Sequence, residues 1–293
     1  MGLIQTSGYM ETLKSLHDPV TGWPLNYPEA PCDILLIDDL TFVDNKIVEI
    51  ENYIKHYGYK IKDVVFYVWH QNINKLYPNL NFVYHPIFHW NHCADAIKHN
   101  VADKFKFITT KEFVFLCLNM NRRKHRDIAV KALELFPSRL ISYKSINWHL
   151  PYDDWDIATY NNANLQDEKI LRNTANLFNL YDVYRRCQFS VVTETRYNLP
   201  FDFVTEKTTQ CWLALHPALY ISNKGHVQLL REWGFDVFDD IFDHSYDLLD
   251  DDKRISHLVN SNHAVLTHGI TAYHSLKDRL LKNRNHYLNN FTS

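Results

Sequence analysis

Glycine is scarce in this chain, with 7 residues in a total of 293. The sequence has no G-x-G-x-x-G segment and no G-x-x-x-x-G-K-[ST] segment. These are the glycine-rich loops that surround phosphate groups in dinucleotide-binding proteins and in P-loop NTPases. If this chain binds a phosphate group, we therefore expect side chains and the backbone N–H groups of a helix N-terminus to do so.

Paired cysteines and long apolar runs are also missing. The five cysteines lie far apart and form no C-x-x-C pair, so we expect neither a zinc site nor a disulfide framework. No run of about 18 apolar residues is present, so we expect no membrane-spanning helix. The N-terminus lacks the basic and apolar segments of a secretory signal. We therefore expect a soluble, cytoplasmic protein, located in the host cytoplasm if the Asn-, Tyr- and Lys-rich composition reflects a viral origin.

An excess of positive charge is missing too. The formal net charge is −3 and the hydrophobic fraction is 46%, with a pI of about 6.6. Duplex-binding domains usually carry a clear surplus of Lys and Arg, so the composition argues against a protein whose main partner is nucleic acid. The apolar content is sufficient for a substantial core in one or two domains.

Short apolar runs alternate with helical patterns along most of the chain, after an irregular start over residues 1–31 that is rich in turn signals. This alternation predicts an α/β fold with mainly parallel sheets and helices on both faces. The predicted strands are 34–37, 64–68, 81–84, 113–118, 140–143, 189–192 and 218–221, and the predicted helices are 44–57, 127–136, 169–186, 206–215, 227–233 and much of 252–287.

A polar stretch over residues 150–168 separates two runs of this alternation. It predicts two α/β domains, residues 1–155 and 156–293, that face each other across a cleft. Ligands of open α/β sheets bind at the carboxyl ends of the strands. Residues that bind ligands are therefore expected directly after the predicted strands.

The most informative segment runs from the predicted strand at 189–192 through Glu194 to Thr205-Glu206-Lys207 at the start of a helix. A helix N-terminus has unpaired N–H groups and a positive dipole end, and Lys207 adds a full charge, which together suit a diphosphate. Glu206 is placed to accept hydrogen bonds from ribose hydroxyls. The alternative is that Thr205 is an ordinary N-cap and that its neighbours are ordinary first-turn residues.

The order of these pieces resembles the donor-binding motif of the fucosyltransferase family. In that family a Phe-Glu-Asn strand end precedes a Tyr-Val-Thr-Glu-Lys helix start; here the pieces read Val192-Thr193-Glu194 and Phe203-Val204-Thr205-Glu206-Lys207. Pro217–Tyr220 is similar to the family's next strand, and Leu230–Asp236, Ser245–Asp247 and Arg254 are similar to segments of related sugar transferases. The resemblance covers roughly residues 113–260, with departures at Thr195, in a longer loop before Thr205, and after Pro217.

This resemblance implies a GT-B arrangement, in which two Rossmann-like domains face each other across a cleft. It also implies an inverting glycosyltransferase whose GDP- or UDP-sugar donor is bound by the C-terminal domain, through Glu194, Thr205, Glu206 and Lys207. The N-terminal domain would bind the acceptor, a glycan, and supply the general base.

A second cluster, from Asn119 to Arg126, follows the predicted strand at 113–118. Arginine can bind phosphate through two parallel hydrogen bonds, and the related transferases carry a similar Leu-Asn-Arg-Arg segment. The cluster therefore adds Asn119, Arg122, Arg123 and Arg126 to the expected donor site. A solvated basic helix start, or a nucleic-acid contact, remains the alternative.

The general base is expected after the first strand of the N-terminal half. Asp38 and Asp39 follow the apolar run at 34–37 and are our candidates, with His70 and His85 as alternates. A turn-forming role is the alternative for each of them.

We expect no metal and no cofactor beyond the donor itself, because Arg and Lys can stabilise the departing diphosphate. The Asp-x-Asp spacings at Asp154–Asp156 and Asp250–Asp252 read as a loop and a solvated turn. His89 and His92 lack a visible third ligand.

Two other functions stay open from the sequence. One is a viral DNA-base glycosyltransferase that acts on hydroxymethylated bases, and the other is a protein that binds a nucleotide sugar without catalysis. The basic cluster allows the first, although the net negative charge argues against it.

Overall fold

The chain is described by a computed structural model over residues 3–6, 34–37, 55, 65–68, 73–75, 77–84, 87–119, 123–143, 180–199 and 204–291. It divides into two compact units, residues 1–91 with 199–202, and residues 92–198 with 203–293. Each unit contains a four-stranded sheet, so the protein is a mixed α/β protein, as the sequence predicts. Within the described residues, none of the helices combines the length and the apolar character needed to cross a bilayer.

The sheet of the first unit is formed by β1 (Leu3–Thr6), β2 (Ile34–Ile37), β3 (Val65–Val68) and β4 (Asn81–Tyr84). The strands lie in chain order and every neighbouring pair is parallel. Strands β2 to β4 agree with the prediction from their apolar runs. Strand β1 corrects it, because residues 1–31 were expected to be irregular. The four residues of β1 read Leu-Ile-Gln-Thr and form no continuous apolar run; they become a strand by pairing with β2.

The sheet of the second unit is formed by β5 (Phe113–Asn119), β6 (Arg139–Tyr143), β7 (Cys187–Thr193) and β8 (Ala218–Ile221). All neighbouring pairs are parallel and the strand order is β6-β5-β7-β8. The chain therefore leaves β5 toward β6 on one side and returns to β7 on the other side. The point between β5 and β7 where the order reverses is where open α/β sheets usually bind ligands.

Nine α-helices lie within the described residues, along with 3-10 turns at Ile73–Lys75 and Tyr273–Leu276. Helices α1 and α2 were not predicted, and α3 begins three residues before the prediction. Helix α6 ends at Glu232, two residues before Gly234, the predicted stop, which adopts a left-handed φ of 87°. The helices are α1 (Ile87–Lys98), α2 (Val101–Lys104), α3 (Lys124–Leu133), α4 (Tyr181–Arg186), α5 (Glu206–Leu213), α6 (His226–Glu232), α7 (Asp251–Ser261), α8 (His263–His268) and α9 (Lys277–Asn290).

The core of the second unit lies between its sheet and the helices that cover it. Strands β5, β7 and β8 are almost completely buried, which explains why they read as continuous apolar runs. Helix α9 packs on α5, where Trp212 stacks on Phe235 with ring centroids 3.6 Å apart and contacts Tyr287 at 5.1 Å. The same core buries the free thiols of Cys93, Cys117, Cys187 and Cys211.

The two units do not coincide with the domains expected at residues 1–155 and 156–293. The contacts divide the chain at residues 91 and 92, and β5 pairs with both β6 and β7. Residues 113–143, which the sequence placed in the N-terminal domain, therefore share a sheet with β7 and β8. The polar stretch at 150–168, on which the expected boundary depends, lies outside the described residues.

Candidate functional site

The candidate site lies at the carboxyl ends of β5 and β7, where the strand order reverses. Asn119 ends β5 and Thr193 ends β7, and the Thr193 hydroxyl donates a hydrogen bond to Asn119 Oδ1 at 2.5 Å. The Asn119 amide also contacts Cys117 Sγ at 3.4 Å. Both polar side chains are buried. Asn119, which the sequence predicts to contact a donor, joins the two central strand ends in the structure.

Glu194 follows β7 and is 0% exposed. Its carboxylate accepts hydrogen bonds from the Thr205 backbone N–H at 3.1 Å, from the Thr205 hydroxyl at 2.5 Å and from the Thr208 hydroxyl at 2.7 Å. The Thr195 N–H donates to it at 3.3 Å. A protein carboxylate therefore already lies against the N-terminus of α5, where the dipole favours negative charge. Glu194 was predicted to bind the donor, but in the structure it fixes the position at which α5 begins.

Helix α5 begins with the motif that the sequence singled out. Thr205 is the N-cap, and its hydroxyl accepts from the Lys207 backbone N–H. Lys207 Nζ forms an ion pair with Glu206 Oε1 and donates to the Thr195 hydroxyl at 3.1 Å. The side chains of Lys207 and Glu206 are 22% and 25% exposed. This pair is therefore open to solvent, whereas Glu194 behind it is not.

The basic cluster and the helix start come together in the second unit. Arg126 is buried, and its Nη2 donates to the carbonyl oxygens of Thr193 and Glu194 at 3.2 and 3.3 Å. Burial lowers the pKa of Arg126, the neighbouring Arg123 guanidinium lowers it further, and the carboxylates of Glu194 and Glu206 raise it. Arg123 is half-buried and leads into α3 in an extended conformation. The electrostatic influence of both Arg123 and Glu206 thus reaches Arg126.

The loop after β7 is held by His125 and Arg254, neither of which was predicted from the sequence to have this role. His125 Nε2 lies 2.9 Å from the Glu194 carbonyl oxygen, and its ring stacks on Tyr197 with centroids 5.2 Å apart and planes 8° apart. Because burial lowers the pKa of His125 to about 4, the imidazole is neutral near pH 7 and donates this bond from Nε2. His125 lay inside the basic cluster, but its neighbours drew attention to charge rather than to stacking.

Arg254 holds Tyr197 from helix α7. Its guanidinium lies 4.3 Å from the centroid of the Tyr197 ring, and its Nη2 donates to the Tyr197 carbonyl oxygen at 2.6 Å. The Tyr197 hydroxyl donates to the Asp251 carbonyl oxygen at 2.8 Å. The loop that follows β7 is therefore fixed by both α3 and α7. Arg254 belonged to the resemblance, but no role was expected for it.

A second network extends from α5 to α6. Thr208 Oγ1 lies 3.5 Å from His226 Nε2, and Ser222 Oγ lies 3.1 Å from His226 Nδ1. Burial lowers the pKa of His226 to about 4. The Asp247 carboxylate caps α6 by accepting from the N–H groups of Val227 and Gln228, each at 3.0 Å. Helix α5, which follows β7, and helix α6, which follows β8, therefore both begin against a protein carboxylate.

Of the remaining candidate residues, some near the start of α7 form ion pairs, and others lie outside the described part of the chain. Over the described ranges, no group of three or more His, Cys, Asp or Glu side chains could hold a metal ion. Asp250 pairs with Lys224 and Asp251 pairs with Arg254 at the start of α7. The residues that lie outside the described part of the chain are Asp38, Asp39, His70, His85, Arg122, Asp154 and Asp156.

Comparison with known proteins adds no further assignment. No protein-family model, no curated protein and no solved structure matches this chain.

Proposed function

We propose that the protein is a glycosyltransferase that uses a nucleoside-diphosphate sugar. The observation that carries this proposal is the partly exposed Lys207 ammonium at the N-terminus of α5, beside the switch point of a parallel sheet. A helix N-terminus and a fixed cation both favour a phosphate group. The order of motifs that resembles the fucosyltransferase family supports the same conclusion.

The structure suggests how the tasks are shared between the residues. Lys207 and Arg123 have accessible positions and would contact the diphosphate, and the Glu206 carboxylate would accept hydrogen bonds from the ribose. Asn119, Glu194 and Arg126 are 3%, 0% and 2% exposed. These three would hold the strand ends and the helix start in place rather than contact the donor. The Lys207–Glu206 ion pair would rearrange when a ligand enters.

The chemistry proposed is an inverting, metal-independent transfer to a glycan hydroxyl. Negative charge develops on the leaving diphosphate in the transition state, and fixed cations aimed at that charge lower the barrier. The general base is proposed to come from Asp38 or Asp39, and the two α/β units are proposed to form a GT-B arrangement. These parts depend on the resemblance.

The first test is thermal unfolding with a panel of nucleoside diphosphates, on the wild type and on Lys207→Gln. A ligand present at about 100 times its dissociation constant stabilises a protein by roughly 2.7 kcal/mol. A hydrogen bond to a charged group contributes about 1.5–3 kcal/mol, so Lys207→Gln should weaken diphosphate binding by about 10- to 100-fold.

Lys224→Gln is the matched control. Lys224 also follows a strand of this sheet and also pairs with a carboxylate, Asp250, at 3.3 Å. This variant should bind as the wild type does. If no diphosphate shifts the wild-type midpoint, or if both variants lose the shift equally, the proposed donor site is wrong. If the protein binds a nucleoside diphosphate but releases no diphosphate from any sugar nucleotide, it is a nucleotide-sugar-binding protein without transferase activity.

A further inference from the structure

A small cavity lies on the second unit at the amino edge of its sheet, the edge opposite the candidate site. It is lined by the segments that lead into β5 and β7 and by the 3-10 turn at Tyr273–Leu276. The cavity has a volume of about 10 Å³, measured as the space open to the centre of a water-sized sphere. That volume holds about one water molecule or one ion of similar size. Its lining includes Phe105, Phe107, Lys111, Tyr184, Arg185 and Tyr273.

Tyr273 lines this cavity and carries an unsatisfied hydroxyl. Its ring stacks on Phe107, with centroids 5.2 Å apart and planes 19° apart. The side chain is only 5% exposed, and its hydroxyl has no hydrogen-bond partner among the described residues. An unsatisfied buried polar group costs free energy and usually indicates a bound water or ion.

Lys111 brings a cation to the same cavity. Its Nζ donates to the Arg185 carbonyl oxygen at 3.0 Å and lies over the Tyr273 ring, 5.1 Å from the centroid. Within the described part of the chain, the ammonium pairs with no carboxylate. Burial lowers the pKa of Lys111 to about 8, and the nearby Cys187 raises it only in part. The group is therefore still mostly charged at pH 7 but lacks a counter-ion.

We infer that this cavity is a binding site for a single halide ion, with chloride as its natural ligand, held by the Lys111 ammonium and the Tyr273 hydroxyl. Both groups can donate hydrogen bonds to an anion, and the Tyr273 hydroxyl can also accept one. A water molecule would bring two O–H groups of its own, and the Arg185 carbonyl oxygen, which could accept from one of them, already accepts from Lys111. The side chains of Phe105, Phe107 and Tyr184 offer aromatic rings rather than carboxylates. An anion also neutralises the ammonium, which water does not.

Halide binding must be coupled to the protonation of Lys111. The anion binds the charged amine better than the neutral amine, so a bound halide raises the pKa of Lys111. By the same linkage, halide affinity decreases as the pH rises through 8. This coupling gives the site a signature that general salt effects on stability do not have.

The experiment uses the full chain labelled with [13Cε]lysine. The Lys111 resonance is assigned by its loss in Lys111→Gln, and its pH titration is followed by NMR in sodium chloride and in sodium gluconate at equal ionic strength. Gluconate is a monovalent anion too large for the cavity. The midpoint is expected to be about one pH unit higher in chloride. Equal midpoints in the two salts would overturn the proposal.

Two variants separate the halide from water and from long-range charge. Lys106→Gln removes an exposed cation from the same lining and should keep the chloride-dependent shift. Tyr273→Phe removes only the hydroxyl oxygen; it should weaken chloride binding about tenfold and should not lower the thermal midpoint in gluconate, where the hydroxyl has no partner. If Tyr273→Phe lowers the midpoint equally in both salts, the hydroxyl binds a water and the inference is wrong.

Discussion

At the scale of single residues, the candidate site separates a buried carboxylate from an accessible one. Glu194 and Glu206 lie close together at the start of α5, yet Glu194 is 0% exposed and Glu206 has 25% of its side chain exposed. The difference follows from the hydrogen bonds. Four donors surround Glu194, two of them from Thr205, and its removal would leave them facing no acceptor. Glu206 instead pairs with Lys207 near the surface.

We expect Glu194→Gln to destabilise the second unit. The glutamine amide keeps the size of the carboxylate but replaces one acceptor oxygen with a donor, which would face the N–H or hydroxyl groups that now donate to Glu194. Leaving such buried donors unsatisfied costs about 1–3 kcal/mol. The measurement is the free energy of unfolding in urea, followed by circular dichroism.

The control for this variant is Glu232→Gln. Glu232 is exposed on α6 and, among the residues that the structure describes, accepts only from the Gln228 side chain at 3.1 Å. Exposed polar pairs on one helix face contribute little, so the change should fall within about 0.5 kcal/mol. Equal effects from the two substitutions would show that the Glu194 hydrogen bonds do not hold α5.

At the scale of elements, the Arg279 side chain adds ion pairs to the hydrogen bonds by which Asn283 attaches helix α9 to the Asp236 backbone after α6. Arg279 binds Asp236 through Nε at 2.6 Å and Nη2 at 2.9 Å, and it binds Asp240 through Nη1 at 2.8 Å and Nη2 at 2.7 Å. Its guanidinium also lies 4.6 Å from the centroid of the Phe238 ring. Phe238 has a left-handed φ of 63°, a conformation that needs support from its surroundings.

We expect Arg279→Lys to lose most of the stabilisation from these ion pairs, because lysine keeps the charge but not the planar fork. Arg279 is 34% exposed, so screening limits the loss to about 1 kcal/mol. Arg231→Lys is the control: Arg231 also binds one carboxylate, Asp239, at 3.1 and 2.5 Å. The urea midpoint should fall more for Arg279→Lys. A smaller or equal fall would mean that charge alone matters.

Elements were predictable from the sequence where an element is also a local pattern. Strands β5, β7 and β8 are buried apolar runs, so their positions could be predicted from consecutive residues. The start of α5 at Glu206 could be predicted because Thr205 is an N-cap residue. Strand β1 has no such pattern, since its four residues are a strand only through the register with β2. The same limit applies to the site. Lys207 and Glu206 were identifiable from the motif, but the inward direction of Glu194 depends on Thr205 and Thr208, which are distant along the chain.

At the scale of the whole molecule, strand pairing groups the chain differently from composition. The polar stretch at 150–168 suggested a boundary, yet β5 and β6 precede it and pair in one sheet with β7 and β8, which follow it. This grouping brings Arg123 and Arg126 into the same unit as Lys207. From the sequence, Arg122 and Arg123 were expected to lie across a cleft between the domains from Lys207. Long-range parallel pairing was the missing information, because nothing in the composition of β5 states which strands will be its neighbours.

The second unit as a whole should lose stability in mild acid, because it buries neutral histidines. Burial lowers the pKa of His125 and His226 to about 4 and that of His216 to about 3. His216 lies between Ser190 Oγ at 2.9 Å and the Tyr184 carbonyl oxygen at 2.6 Å. An unfolded histidine has a pKa near 6.5, so between about pH 6.5 and 4 the unfolded state binds more protons.

Stability therefore rises with pH in this window and is fully present above about pH 6.5. At pH 5 each of these histidines lowers the free energy of unfolding by about 2 kcal/mol relative to neutral pH. Together the three reach the lower part of the roughly 5–15 kcal/mol that stabilises a domain. Exposed carboxylates such as Asp240, whose pKa is lowered by its hydrogen bond with Arg279, act only at lower pH.

The measurement is the free energy of unfolding in urea from pH 7 to pH 5. These three histidines should contribute an uptake of between two and three protons on unfolding to its slope near pH 5, and His244, whose pKa is also lowered by burial, adds to it. His216→Asn should reduce this uptake by about one proton. Ser190→Ala removes the hydroxyl next to the same imidazole but keeps the ring, so it should lower stability without changing the slope. A flat profile above pH 5, or an equal slope in His216→Asn, would show that the acid sensitivity has another source.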